Sequence, residues 1–431
     1  MSFEDTFCPS PWFHMRITSS GKYEYCRWAR QSKNPNVATA NIADCSVTEY
    51  FQHSLAPLRQ DLLNGTPLDS CSKCYTMEAH GKVSGRERQL LKTGVQPVFF
   101  FKSLASSPWA PAFDYSNTHN GHTLEHVQDW QIDLGNFCNS ACVFCSPISS
   151  SKLATEFKKL EIISDVPAPS WTNNPDLVDK LCDDILASKK LQYLHFIGGE
   201  TIVTPAFRQI LTNLVASGRA KEIIIGFTTN LTVWDREIIE LLEQFGQINV
   251  GVSIETFTPL NDYVRWPSNI DEIKQTLTRW RELCQRNRWL IQLRITPTCL
   301  TIHELTTVLD YAWEHQVPIE SCDFLTEPEY LKINVLPLAY RMPIVDNLKA
   351  WINKCNVQSS RRIVNSRHTE MLHEFLIQEA IGYVRYLEEA SDNSAELSNL
   401  TEFLKLLEQS RKNSILDHIP QYEKLFRASG Y

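Results

Sequence analysis

Between residues 126 and 336, short β-rich apolar runs alternate with longer stretches whose apolar positions recur at helical spacing. The runs Trp130 to Leu134, Leu191 to Ile197, Ile223 to Phe227, Ile248 to Ile254, Leu290 to Ile295 and Ile319 to Phe324 predict strands. Helices are predicted between and after them, over Leu177 to Ser188, Phe207 to Ser217, Arg236 to Phe245, Ile270 to Arg286 and Ile302 to His315. Strand–helix repeats of this kind predict an α/β fold with a parallel sheet under helices, either doubly wound or an incomplete barrel. Both architectures place their chemistry at the C-terminal ends of the strands.

The flanks follow other patterns. In residues 1–88 short apolar runs are broken by Pro9, Pro11, Gly21, Pro57, Gly65, Pro67, Gly81 and Gly85, so little periodic core is expected there and an inorganic cross-link would explain how the segment stays folded. Residues 89–125 are expected to form a linker, with 103–125 its clearest part. From 337 to 431 the pattern is helical, and Leu397, Leu400, Phe403, Leu404 and Leu407 make one apolar stripe expected to pack on the core.

Composition narrows the function. The 431-residue chain is 43% hydrophobic, enough for a full core. A net charge of -8 argues against a nucleic-acid-binding field, and the tryptophans form no stacking series. No long apolar run predicts a membrane span, and a cytoplasmic location is expected. Thirteen cysteines, an odd number, argue against a fully paired disulfide framework and make their spacing informative.

Three of them, Cys138, Cys142 and Cys145, form CxxxCxxC just after the first strand of the alternating series. Three thiolates on one loop can hold three corners of a cubane iron–sulfur cluster and leave one iron open, whereas structural zinc wants a fourth ligand. The next strand ends in Gly198, Gly199 and Glu200, where glycine permits close approach of a ligand to backbone and a carboxylate can compensate a desolvated ammonium. These motifs, with Phe144 just before the last cysteine, resemble the radical S-adenosylmethionine superfamily over the whole strand series. The resemblance implies a partial (β/α)6 barrel over 126–336 and a 4Fe–4S cluster whose open iron is chelated by S-adenosylmethionine. It further implies reductive cleavage to a 5′-deoxyadenosyl radical, with electrons from a flavodoxin- or ferredoxin-like donor. Gly198, Gly199, Glu200, Asn230, Ser253 and Glu255 resemble the family's cofactor contacts, and Arg265 and Arg294 are candidate carboxylate partners.

The N-terminal cysteines make a second constellation. Cys8, Gly21 and Cys26, followed by the CxxC of Cys71 and Cys74, resemble the short, twitch form of the auxiliary-cluster module called SPASM, which implies a second 4Fe–4S cluster with four thiolates and no open iron. In relatives that module follows the barrel, whereas here it precedes it. Cys45 as fourth ligand and zinc in place of iron–sulfur remain alternatives. Cys182, Cys284, Cys299, Cys322 and Cys355 are expected to be buried small hydrophobes, and His119, His122 and His126 to lie in solvated loop. The substrate expected is a peptide or protein side chain, or a small molecule such as a sugar. With seven residues before Cys8, no peptide-recognition domain is expected at that end, which tilts the expectation away from leader-peptide maturation without excluding it. The alternative from another class is a non-catalytic iron–sulfur or zinc scaffold.

Overall fold

The computed structural model of the chain describes residues 2–29, 37–322, 324–361 and 367–431, without the side chains of 321, 322, 359–361, 367 and 368. One sheet organises it. Its strands are β1 (His14–Ile17), β2 (Tyr23–Glu24), β3 (Asp129–Asp133), β4 (Tyr193–Ile197), β5 (Ile224–Thr229), β6 (Gln247–Ser253), β7 (Leu290–Ile295) and β8 (Ile319–Cys322). The spatial order is β2-β1-β3-β4-β5-β6-β7-β8. Strands β3 to β8 run parallel in chain order, each within a few residues of the run that predicted it. The last predicted run extends to Phe324, but the strand ends at Cys322 and residue 323 lies outside the described residues.

Alternation along the strands gives the sheet two faces. Trp130, Ile132, Leu194, Phe196, Ile225, Phe227, Val250 and Val252 are buried on one of them. Helices cover that face: Phe207 of the helix Pro205–Ala216 packs its ring 5.2 Å from Phe196, and Trp280 of Ile270–Asn287 lies 5.6 Å from Phe227. The opposite face is polar and carries Gln131, Asp133, His195, Thr228, Ser253 and Arg294, with Arg16 level with Gln131.

The N-terminal segment departs from expectation. Instead of lacking a core, it contributes β1, which pairs in parallel with β3 in the register His14 with Asp129 and Ile17 with Ile132. It also buries Phe7, Trp12, Phe13, Tyr23, Tyr50 and Phe51. A four-residue strand whose partner lies more than a hundred residues away leaves no periodic signal. Residues expected to be linker instead hold the helices Phe100–Ser106 and Ala110–Thr118. Phe113 is buried there, and Trp12 Nε1 donates to Ser116 Oγ at 2.9 Å.

The C-terminal residues form the helices Leu338–Arg361, Arg367–Glu389 and Leu397–Arg411, and all five residues of the predicted stripe are buried. Cys182, Cys284, Cys299 and Cys355 are buried as expected, while the side chain of Cys322 lies outside the described residues. No helix among the described residues is long and apolar enough to cross a membrane.

Candidate functional site

The loop that leaves β3 carries Cys138, Cys142 and Cys145 and is tied down on several sides. Ser150 caps the helix Ser151–Lys159 by accepting from Leu153 N, and its hydroxyl donates to Ser140 O at 2.6 Å. Ser151 N donates to Asn136 O at 2.6 Å, and the loop amides of Ala141 and Val143 reach Trp266 O and Val264 O at 2.6 and 2.8 Å. Burial pushes the thiols of Cys138 and Cys145 up to about 11 and about 12, so a cation would have to displace their protons to bind.

Beside this loop β4 ends in the Gly198–Gly199–Glu200 turn. Both glycines have positive φ, 104° and 43°. A Cβ on Gly199 would stand 2.0 Å from Phe137 O, and one on Gly198 2.3 Å from Asp133 Oδ1. The glycines therefore first serve to press the turn against the cysteine loop, where Glu200 N donates to Phe137 O at 2.9 Å. The Glu200 side chain is buried. Burial lifts its carboxyl to about 7, against the pull of the amides of Asn230, at 2.6 Å, and Ile202, at 3.3 Å, which favour the charged form. Asn230 at the end of β5 crosses to the loop, its Nδ2 donating to Asn139 Oδ1 and Ser140 Oγ at 2.9 Å each.

These strand ends surround a cavity of about 410 Å³. The three thiols, Phe144, Gly198, Gly199, Glu200, Asn230, Ser253 and Arg265 all line it, and among the described residues its lining holds no fourth cysteine and no histidine. Two predicted residues stand elsewhere. Glu255 is buried behind the wall, where Oε1 pairs with Arg265 at 2.6 Å and Oε2 accepts from Thr296 N at 2.8 Å. That pairing holds the Arg265 guanidinium over the Phe144 ring, 5.2 Å from its centroid, with Nη1 3.8 Å from Cys142 Sγ. Arg294 lies on the polar face of the sheet, engaged with His195, Thr228 and Glu320.

Sequence reasoning missed one group that meets the loop. Arg411, at the end of the helix Leu397–Arg411, makes two contacts of 2.9 and 2.6 Å with the buried Glu156 and donates to Ala141 O at 2.7 Å. Its guanidinium also covers the Trp266 ring at 5.1 Å. No motif signals a pair 255 residues apart in the chain.

In the N-terminal segment, Cys8, Cys26, Cys71 and Cys74 line one small cavity of about 20 Å³ with Trp28, Gly85, Arg86 and Gln89. Burial and then the neighbouring thiols Cys26 and Cys74 push Cys71 up to about 12. A Cβ on Gly85 would come within 2.4 Å of the Trp28 ring, so this glycine lets the indole close the site. Cys45 does not line the cavity, and its carbonyl accepts from Tyr23 OH. Among the described residues no group of three or more His, Cys, Asp or Glu side chains is placed to hold a metal ion. His119 is exposed and stacks on Tyr115, and the exposed His122 faces His53. By the softness of their donors, and not by placement around a single ion, both thiol groups suit iron–sulfur clusters.

Residues 132–304 match the model of the Radical SAM superfamily, a stretch that contains Cys138 through Arg294 and none of Cys8, Cys26, Cys71 and Cys74. An Fe-coproporphyrin III synthase of Methanosarcina barkeri is 26% identical over 181 residues, 42% of this chain and 40% of that protein. The chain thus matches well under half the length of this curated relative. Among solved structures, anSMEcpe with bound AdoMet is 17% identical, with a TM-score of 0.38, over 54% of this chain and 62% of that one. Streptococcus suis SuiB bound to the precursor peptide SuiA is 12% identical, with a TM-score of 0.38, over 81% of this chain and 70% of that one.

Proposed function

We propose that the chain is a radical S-adenosylmethionine enzyme in which Cys138, Cys142 and Cys145 hold a 4Fe–4S cluster. Held there, such a cluster would supply one-electron reductive cleavage of S-adenosylmethionine and so the means to abstract hydrogen from a substrate. The observation that carries this reading is that three thiols of one loop share a cavity with Glu200 and, among the described residues, with no fourth cysteine or histidine.

The chain's own groups have distinct tasks there. Glu200, fixed by two amides, is set to receive the cofactor's ammonium, and Asn230 ties it to the cysteine loop. Arg265, held by Glu255, places a positive charge beside Cys142 and caps the cavity together with Phe144. In this reading residues 126–336 form the partial barrel, a reduced flavodoxin- or ferredoxin-like protein is the donor, and Cys8, Cys26, Cys71 and Cys74 hold an auxiliary 4Fe–4S cluster. The convergence of those four thiols on one enclosed cavity supports the last assignment. The test is anaerobic reconstitution, reduction with strong reductant and assay for 5′-deoxyadenosine. Formation is expected, and its absence from protein carrying a full cluster complement would favour a scaffold.

A further inference from the structure

The polar face of the sheet carries more unused chemistry than any other region. Arg16 projects from β1, Arg294 from β7 and Arg27 from the turn beside Cys26. Arg16 meets Glu24 at 3.2 Å and Asp133 at 3.5 Å, and Glu320 lies 3.3 Å from Arg294 and 3.7 Å from Arg27. These are not a sealed core, because the side chains of Arg16, Arg294 and Glu320 keep 23%, 22% and 22% of their surface.

Their position relative to the proposed cofactor cavity is direct. Arg294 donates to Thr228 Oγ1 at 3.1 Å, and Thr228 is part of the cavity wall. Asp133, partner of Arg16, lies where a Cβ of Gly198 would be, under the glycine turn. Gly251 leaves room for Arg294 to lie across the sheet, since a Cβ there would stand 2.8 Å from Arg294 Cδ. Arg294 Nη1 also donates to His195 Nε2 at 3.0 Å, which assigns the ring proton to Nδ1 and makes Tyr193 OH its acceptor at 2.9 Å. His195 is thus neutral and adds no charge; burial followed by the Arg294 charge holds it down at about 3.

Hydrogen-bond pairing on this face is incomplete. Arg16 Nε and Arg27 Nε are buried and make no hydrogen bond among the described residues. Glu320 is held down at about 2, against its burial, by Arg294 and its neighbours, and the carboxyls of Glu24, Asp133 and Asp129 also face the guanidiniums. Planar guanidinium forks with spare donors match a carboxylate. A doubly charged phosphate would meet these carboxyls with twice the repulsion a carboxylate meets, and a neutral sugar would offer the forks no charged acceptor.

We propose that this face, immediately below the proposed cofactor cavity, is the substrate subsite, and that Arg16, Arg27 and Arg294 select a substrate carboxylate. This rests on the radical reading above and names the class of molecule it acts on. The carboxylate can belong to a free amino acid or to an acidic side chain within a peptide, and both present the same group to the arginines.

The test is equilibrium dialysis of reconstituted protein with S-adenosylmethionine against four probes: free glutamate, N-acetylglutamate N-methylamide, its neutral isostere N-acetylglutamine N-methylamide, and inorganic phosphate. At least one carboxylate probe is expected to bind about ten-fold or more tighter than the amide and than phosphate. Binding of the blocked acidic residue identifies a peptide-borne carboxylate, and binding of glutamate alone a free amino acid. Arg16→Gln should erase the preference, with Arg294→Lys as a milder, charge-keeping second variant that weakens it. The comparison in the parent protein stands even where a variant does not fold. Equal affinity for acid and amide, phosphate binding as tight as carboxylate, or no binding of any probe up to about 20 mM overturns the proposal. Formation of 5′-deoxyadenosine is measured in the same samples, so a failed subsite with intact cofactor cleavage is distinguished from failure of the radical reading.

Discussion

The two cysteine groups of this molecule use the same side chain in opposite surroundings. Cys138, Cys142 and Cys145 come from one eight-residue loop and face a cavity of about 410 Å³ shared with an acid and an arginine. Cys8, Cys26, Cys71 and Cys74 come from separate pieces of a long segment and close on about 20 Å³ behind Trp28. Were each group to hold a cubane cluster, three thiols beside open space would leave one iron free, whereas four thiols around a small cavity would leave none. The difference teaches that, in the proposed reading, thiol number and the room beside the thiols, more than thiol chemistry, would separate a reactive centre from a closed one.

The sharpest way to break this comparison is to remove one thiol from each group. Cys142→Ala should reduce 5′-deoxyadenosine formation to the blank. Cys74→Ala should leave it measurable while iron falls from about eight to about four per chain. The check is product and iron assayed together, with circular dichroism as a fold control. Equal effects of the two changes would mean that the groups are not functionally distinct.

Next in size is the brace on the open loop. Arg411→Met strands the Glu156 carboxylate, which is only 6% exposed, and should cost about 3–5 kcal/mol of unfolding free energy, read from the urea midpoint. Adding Glu156→Leu should restore most of that loss. The closed N-terminal site should keep its iron throughout, which sharpens the contrast.

A third prediction uses pH. With its carboxyl at about 7, Glu200 is protonated below that value and must give up the proton to face an ammonium. Cofactor affinity should therefore climb as pH rises from about 5 to 7, approaching ten-fold per unit at the low end, and flatten above. Binding isotherms of the parent and of Glu200→Gln check this, and the variant should show no such slope.

Smaller still, Gly199→Ala forces a Cβ against Phe137 O at positive φ and should cost about 1–3 kcal/mol, with easier iron loss from the open site only. Cys45→Ala should change stability by less than about 0.5 kcal/mol and leave the iron count alone. A lost cluster in that variant would make Cys45 a ligand after all.

What could be read from sequence alone is what neighbours in the chain dictate. The parallel strands from β3 to β8 follow from local alternation and helical spacing, and the CxxxCxxC loop and the Gly198–Gly199–Glu200 turn follow from residues a few positions apart at strand ends. Tertiary structure decided whatever depends on partners distant in sequence. It placed β1 on the edge of β3, built helices where a linker was expected, paired Glu255 with Arg265 behind the cavity wall, and carried Arg294 onto the polar face instead. It also brought Arg411 to Glu156 from the far end of the chain. A charged side chain is buried only where a partner meets it, and which partner that is depends on how whole elements pack, a choice that no local pattern of residues encodes.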